Sequence, residues 1–200
     1  MAQPIEFWFE FASTYSYLSA ARIEAVASAA GLEVVWRPFL LGPIFADQGW
    51  SDSPFNQQPA KGRYMWRDVE RLCSGYSLEY QRPSAFPRNG LLAARVAQAS
   101  LGEPWLPDFV KAVYRANFAE DRDIGQAEVI GNCLESSGAS RSAAFERAEG
   151  PAGRQSLRAS TDCARELGIF GAPSFVVDGE LFWGNDRMGD AVAQALLGGG

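Results

Sequence analysis

The sequence predicts an α/β fold. A small core, β-α-β at one end and β-β-α at the other, is interrupted by a large all-helical insertion. Three observations carry that prediction. Ile5, Phe7, Phe9 and Phe11 alternate with Glu6, Trp8 and Glu10, which is the period of a strand. Strand character returns near the C-terminus in "PSFVVDGELFWG" (173–184). Between about Gly42 and Gly168 the chain carries helical stretches and no convincing strand.

The elements follow in order. Ser13 closes the first strand and fits a helix N-cap. Leu18, Ala21, Ala25 and Ala29 then recur along one helical face, and Gly31 is a C-terminal stop. "EVVWRPFL" (33–40) reads as a second strand, and the crossover between the two favours parallel pairing. Pro, Gly and Asn mark a loop through residue 60, after which helices are expected over 61–74, 89–101, 105–118, 125–137 and 152–167. Asp178-Gly179 between two apolar runs signals a type I′ hairpin. A last helix, 186–197, begins after Asn185 and gives way to a glycine tail. Without the helical block, the order is that of a thioredoxin-like core. The expected division is residues 1–41 and 169–200 for the thioredoxin-like domain and 42–168 for the helical insertion.

Composition narrows the functions. With 47% hydrophobic and 21% charged residues, the chain of 200 residues has an ordinary globular balance and can bury a core without disulfide or metal bracing. A net charge of −6 argues against nucleic acid as the partner, yet leaves room for an anionic small molecule at a local basic site. The opening residues carry no charged leader, and no apolar run approaches the roughly 20 residues that span a bilayer. A soluble cytoplasmic protein without membrane association is expected. Cys73, Cys133 and Cys163 are odd in number and far apart, so reduced, mostly buried thiols are expected rather than a disulfide framework. The absence of histidine excludes Ser-His-Asp catalysis, imidazole bases and most zinc sites, and no metal is expected.

Four stretches carry chemistry. Ser13-Thr14-Tyr15-Ser16 stands at a strand-to-helix junction where many small α/β redox proteins carry C-x-x-C, here with serine at both cysteine positions. Such a junction presents free N–H groups and the positive end of a helix dipole, so it can stabilise the thiolate of a bound thiol; alternatively, Ser13 only caps the helix. In "GIFGAPSF", a cis bond before Pro173 would expose the backbone of Ala172 to an extended peptide-like ligand, whereas a trans proline would merely open the strand. In "FWGNDRM", Asn185 and Asp186 either cap the last helix or receive the carboxylate and ammonium of an α-amino-acid group. In "NQQPAKGRYMWRDVERLC", Lys61, Tyr64, Asp68 and Arg71 form one stripe beside an apolar stripe of Met65, Val69, Leu72 and Cys73. That polar stripe is a solvated face unless it borders a cleft, where Lys61 would hold an anion. Arg82 and Arg88 in "YQRPSAFPRNG" are candidates for a substrate carboxylate.

"FEFASTYSYL", "RPFLLGPIF", "NQQPAKGRYMWRD" and "GIFGAPSFVVDGELFWGNDRM", in that order, resemble the 2-hydroxychromene-2-carboxylate isomerases and, more distantly, the kappa-class glutathione transferases. The resemblance covers nearly the whole chain. It implies glutathione as cofactor, with Ser13 near its sulfur, Ala172 on its backbone, Asn185 and Asp186 at its γ-glutamyl end, and Asn56 and Lys61 as further contacts. Thr14 departs from the family, which usually has proline there. The implied reaction interconverts 2-hydroxychromene-2-carboxylate and trans-o-hydroxybenzylidenepyruvate in aromatic-compound catabolism, by reversible thiolate addition. Lys61 and Arg82 are the candidates for contact with the small aromatic carboxylate substrate, and a homodimer is the family's habit. Three rival readings stand beside this one: a glutathione transferase, a disulfide oxidoreductase, and a non-catalytic glutathione-binding module.

Overall fold

Four short strands form one sheet in the order β2-β1-β3-β4: β1 (Ile5–Phe9), β2 (Val34–Pro38), β3 (Ser174–Val177) and β4 (Glu180–Trp183). The computed structural model describes residues 2–198; Met1 and residues 199–200, the end of the glycine tail, lie outside the described residues. β1 pairs parallel with β2 and antiparallel with β3, as a β-α-β unit joined to a returning hairpin requires. Asp178 and Gly179 both have positive φ (51° and 80°), the geometry of a type I′ turn, and they fold β3 against β4.

The central strand is buried on both faces. Ile5, Phe7 and Phe9 enter the main hydrophobic cluster, where Phe7 stacks on Phe175 at 5.6 Å and meets Trp36 edge-on at 5.3 Å. Trp8 points the other way, into a second cluster with Phe39, Ile44, Ala164, Ile169 and Val176. The alternation therefore separates two packed faces rather than core from solvent. Glu6, half-buried beside Trp8, is satisfied by the indole N–H at 2.9 Å and by Arg37 at 2.9 Å.

Helices cover both faces. The first helical stretch is two helices, α1 (Thr14–Ala20) and α2 (Ile23–Ala29). The step at Ala21–Arg22 resets the helical phase. Leu18 is buried as expected, but beyond the step Ile23 and Ala27 turn inward, while Ala25 and Ala29 stay exposed. The expected loop through residue 60 contains α3 (Leu41–Asp47) and α4 (Pro54–Gln57). Both carry proline in the first turn, where its missing N–H is no loss, so the proline that reads as loop punctuation begins a helix. The remaining helices are α5 (Pro59–Tyr76), α6 (Leu91–Gln98), α7 (Leu106–Phe118), α8 (Ala127–Ser136), α9 (Arg141–Glu149) and α10 (Pro151–Glu166). α9 escapes the sequence reading because Ala144 and Ala148 are its only buried residues. A 3₁₀ turn (Asn185–Arg187) leads into α11 (Met188–Leu197). The main cluster runs without a break from the sheet into the insertion, through Met65, Val69, Phe109, Val113 and Tyr114.

Among the thiols, Cys73 and Cys133 are buried as expected, and burial pushes each up to about 11. Cys163 is exposed, contrary to expectation, because it sits on the outer side of α10.

Candidate active site

A cleft of about 1140 Å³ opens where the β1–α1 junction, the segment before β3, the start of the last helical element, α3 and α5 meet. The apolar end of β1 delivers the chain to its floor. Ser13 then turns into extended geometry (φ −79°, ψ 118°) and caps α1, accepting the Ser16 N–H at 3.2 Å. Its one hydroxyl proton goes to the carbonyl oxygen of Ala172, 159 residues away, at 2.8 Å. The helix cap and the long-range contact to Ala172 thus occur together on one hydroxyl.

The Ala172–Pro173 bond is cis, the first of the two alternatives the sequence left open. The Pro173 carbonyl accepts the Gly184 N–H at 3.0 Å, whereas the Ala172 N–H has no partner among the described residues. One residue of the chain therefore borders the cleft with a free donor beside a carbonyl held only by Ser13. A Cβ at Gly171 would lie 2.4 Å from the Trp183 indole nitrogen, so a larger residue there would force that exposed ring to shift.

Asn185 does not cap the last helix. It is buried, with its Oδ1 accepting from Ser19 at 3.1 Å and Arg22 at 3.2 Å. Arg22 in turn stacks on Tyr76 at 3.8 Å. The side chain is taken by α1, which leaves the start of the 3₁₀ turn uncapped: neither the Asn185 nor the Asp186 N–H has a partner among the described residues. Asp186 is exposed on the cleft wall and folds back over Gly184, whose φ of +114° and lack of Cβ make room for it.

α5 supplies the opposite wall. Its polar stripe borders the cleft with Lys61, Tyr64 and Asp68, while Met65, Val69 and Cys73 fill the core behind it. Tyr15 ties the two walls together by donating to Asp68 at 2.9 Å, and burial with that anion nearby pushes the phenol well above its ordinary range. Lys61 lies 5.8 Å above the Phe55 ring and has no carboxylate partner among the described residues, whereas Lys111, the other lysine, pairs with Glu24 and Asp108. Phe45 and Trp50, 5.5 Å apart, add an aromatic edge.

The cleft thus gathers Ser13, Lys61, Ala172, Asn185 and Asp186. Two candidates lie outside its lining. Asn56 spends its amide on Asp52 at 3.0 Å and on the Phe86 carbonyl at 3.1 Å, and Arg82 lies over the Trp66 ring at 4.8 Å. Arg88 borders the cleft but is buried among carbonyls and bonded to Asp121, so its charge is committed to structure. Thr14, the departure from the family's proline, donates to the Met65 sulfur at 3.3 Å. Among the cleft residues that went unmarked in the sequence, beside Phe45 and Trp50, one is ionisable and enclosed. Glu10 borders the cleft three residues before Ser13, and burial raises its carboxyl to about 7.

This fold and site define a thioredoxin-class protein whose junction holds hydroxyls in place of thiols. The chain belongs to the DSBA-like thioredoxin domain family, whose model matches residues 4–196. It is similar to a 2-hydroxychromene-2-carboxylate isomerase of Sphingobium xenophagum, 29% identical over 189 residues, covering 94% of this chain and 95% of the relative. Among solved structures it resembles a 2-hydroxychromene-2-carboxylate isomerase (TM-score 0.85, 23% identity, 97% of this chain and 94% of that one). It also resembles a probable DsbA oxidoreductase of Streptomyces coelicolor (TM-score 0.78, 21% identity, 97% and 90%).

Proposed function

We propose that this protein is a glutathione-dependent isomerase that interconverts 2-hydroxychromene-2-carboxylate and trans-o-hydroxybenzylidenepyruvate in the breakdown of aromatic compounds. The observation that carries the reading is the Ser13 hydroxyl at the N-cap of α1, in the cleft, bonded to the Ala172 carbonyl at 2.8 Å. A serine here cannot exchange disulfides, but it can hold a thiolate that is brought in. The similarity to the Sphingobium xenophagum isomerase over nearly the full length supports the same reaction.

Glutathione would lie along the Ala172 backbone in the manner of an added strand. Its cysteine N–H would take over the Ala172 carbonyl, and its cysteine carbonyl would accept the free Ala172 N–H. That exchange releases the Ser13 hydroxyl, which turns to donate to the sulfur. The γ-glutamyl carboxylate would meet the two free N–H groups at Asn185 and Asp186, with Asp186 on the ammonium. Lys61 would offer its charge to a carboxylate of glutathione or of the substrate.

Glutathione bound there would supply a thiolate able to add to the conjugated carbon of the open-chain acid. The former double bond would then be single and free to rotate, elimination would return the thiol unchanged, and the phenol oxygen of the cis acid would add to the ketone carbon, its proton passing to the ketone oxygen, to close the 2-hydroxychromene ring. The protein's tasks are to ionise the sulfur and to fix its approach. The test is turnover of trans-o-hydroxybenzylidenepyruvate by thiol-stripped protein with and without added glutathione. Saturable recovery of activity on adding glutathione supports the reading, and full activity without any thiol overturns it.

A further inference from the structure

Glu10 is an acidic residue at the end of the central strand, on the cleft wall, and the isomerase reading as stated gives it no task. The turn that carries the chain from β1 to α1 is closed by the Ser13 N–H on the Glu10 carbonyl at 3.0 Å, so both side chains border one cleft from one short turn. The Glu10 backbone is fixed a second time by the Tyr114 hydroxyl, at 2.9 Å on the same carbonyl. One carboxyl oxygen, Oε2, accepts the Ala12 N–H at 2.9 Å. The other, Oε1, has no hydrogen-bond partner among the described residues. It lies 3.3 Å from where a Cβ at Gly90 would stand, so the glycine leaves that oxygen its space.

Among the described residues no cation pairs with this carboxyl. Arg88, on the segment leading into α6, is bonded to Asp121; Lys61 stands on α5 and bonds no carboxylate; Tyr114, from α7, meets only the backbone. Arg187, the remaining cation of the lining, pairs with Asp186 and Asp190, and Asp52 ahead of α4, Asp68 on α5 and Asp186 beyond β4 are the other anions on the cleft. A half-buried acid with one oxygen held and one free, beside a nucleophile's anchor, is placed for proton transfer rather than for an ion pair.

We propose that Glu10 is the proton carrier of the isomerase reaction, an assignment that rests on the glutathione-dependent reading above. When the thiolate sulfur bonds to the conjugated carbon, the double-bond electrons move toward the ketone and its oxygen takes the charge as an enolate. Protonated Glu10 gives its proton to that oxygen, leaving an enol and a carboxylate. After rotation about the new single bond, the Glu10 carboxylate takes the proton back, the double bond reforms, the carbon–sulfur bond breaks, and the thiolate leaves. Proton and sulfur are both returned, and no oxidant or reductant enters. A carboxyl that titrates near 7, as burial brings about here, populates both forms at neutral pH and suits both steps.

The test uses the wild type, Glu10→Gln and Glu10→Asp with glutathione and trans-o-hydroxybenzylidenepyruvate. The amide variant keeps an oxygen for the Ala12 N–H. It is expected to lose about 10²–10⁴-fold in kcat, the usual worth of a positioned acid–base group. Its affinity for glutathione, read by tryptophan fluorescence, should stay within about twofold, because the lost group acts on the acceptor. Wild-type kcat is expected to fall as pH rises through about 7, since addition needs the protonated acid. Glu10→Gln should lose that limb, and Glu10→Asp should keep it at lower rate, which shows that the effect is not misfolding. A Glu10→Gln variant with wild-type kcat and an unchanged limb overturns the role of Glu10 alone. A folded wild type without turnover overturns the isomerase reading, and this role falls with it.

Discussion

Replacing Ser13 with alanine removes one oxygen atom that serves two structural contacts and the proposed catalytic one. A bound thiol of ordinary pKa about 8.5 must be brought to about 7 to be largely ionised at neutral pH, which takes roughly 2 kcal/mol. The dipole of α1 supplies about 0.3–1 kcal/mol. A hydroxyl bond to the charged sulfur supplies about 1.5–3 kcal/mol, so the serine covers the shortfall. Ser13→Ala is therefore expected to raise the pKa of bound glutathione by about one to two units, and to lower kcat/KM at neutral pH roughly ten- to a hundredfold. The same change deletes the cap on the Ser16 N–H, worth about 0.5–2 kcal/mol of stability, which leaves the protein folded at room temperature. The assay is thiolate absorbance near 240 nm across pH (a wavelength of about that value) for each protein with bound glutathione, paired with kcat/KM over the same range. Ser13→Thr, which keeps the hydroxyl, should recover most of the difference. If the alanine variant is less stable yet binds glutathione with unchanged pKa and turns over normally, Ser13 is only a helix cap and the electrostatic argument is wrong.

Lys61→Ala should raise the KM for glutathione or the keto acid severalfold while leaving kcat within about twofold, since a ground-state contact is lost; an unchanged KM for both would place Lys61 on a solvated face. Thr14→Pro should change unfolding free energy by less than about 1 kcal/mol. Ser13 is already extended, as a residue before proline must be, and only the hydroxyl bond to Met65 is lost; a loss above about 2 kcal/mol in urea titration would refute that account. Glu10→Gln should gain stability over wild type as pH rises. The raised carboxyl favours the protonated folded state, so its contribution is full below about 4.5, the unfolded value, and is lost as pH passes about 7. The variant's advantage in chemical denaturation should therefore grow between pH 5 and pH 8 to at most about 3 kcal/mol, and a pH-independent difference would contradict the assigned titration.

The strands and the hairpin were legible because their signals are local: alternation in β1, and Asp178-Gly179 with both residues at positive φ. The junction at Ser13 was legible for the same reason, a cap following a strand. Where the sequence reading failed, the deciding contact was distant or weak. Asn185 looks like a cap because of its neighbours, but Ser19 and Arg22, more than 160 positions away, hold its side chain inside. Glu10 reads as the polar half of an alternation; Gly90 and Tyr114, remote in sequence, enclose it. α9 buries only alanines and so gives little periodic signal, and α3 hides behind Gly42-Pro43. Arg82 could not be placed from its loop, because its partner, Trp66, lies on another element.

In the proposed reaction a thiol is borrowed and returned. The most direct measurement follows disappearance of trans-o-hydroxybenzylidenepyruvate by absorbance while free thiol is titrated before the reaction and at full conversion. Stripped protein is expected to show no turnover, activity is expected to saturate with glutathione, and the thiol concentration at the end is expected to equal that at the start. Thiol lost in proportion to product would contradict it and mark the protein as a transferase that releases the adduct.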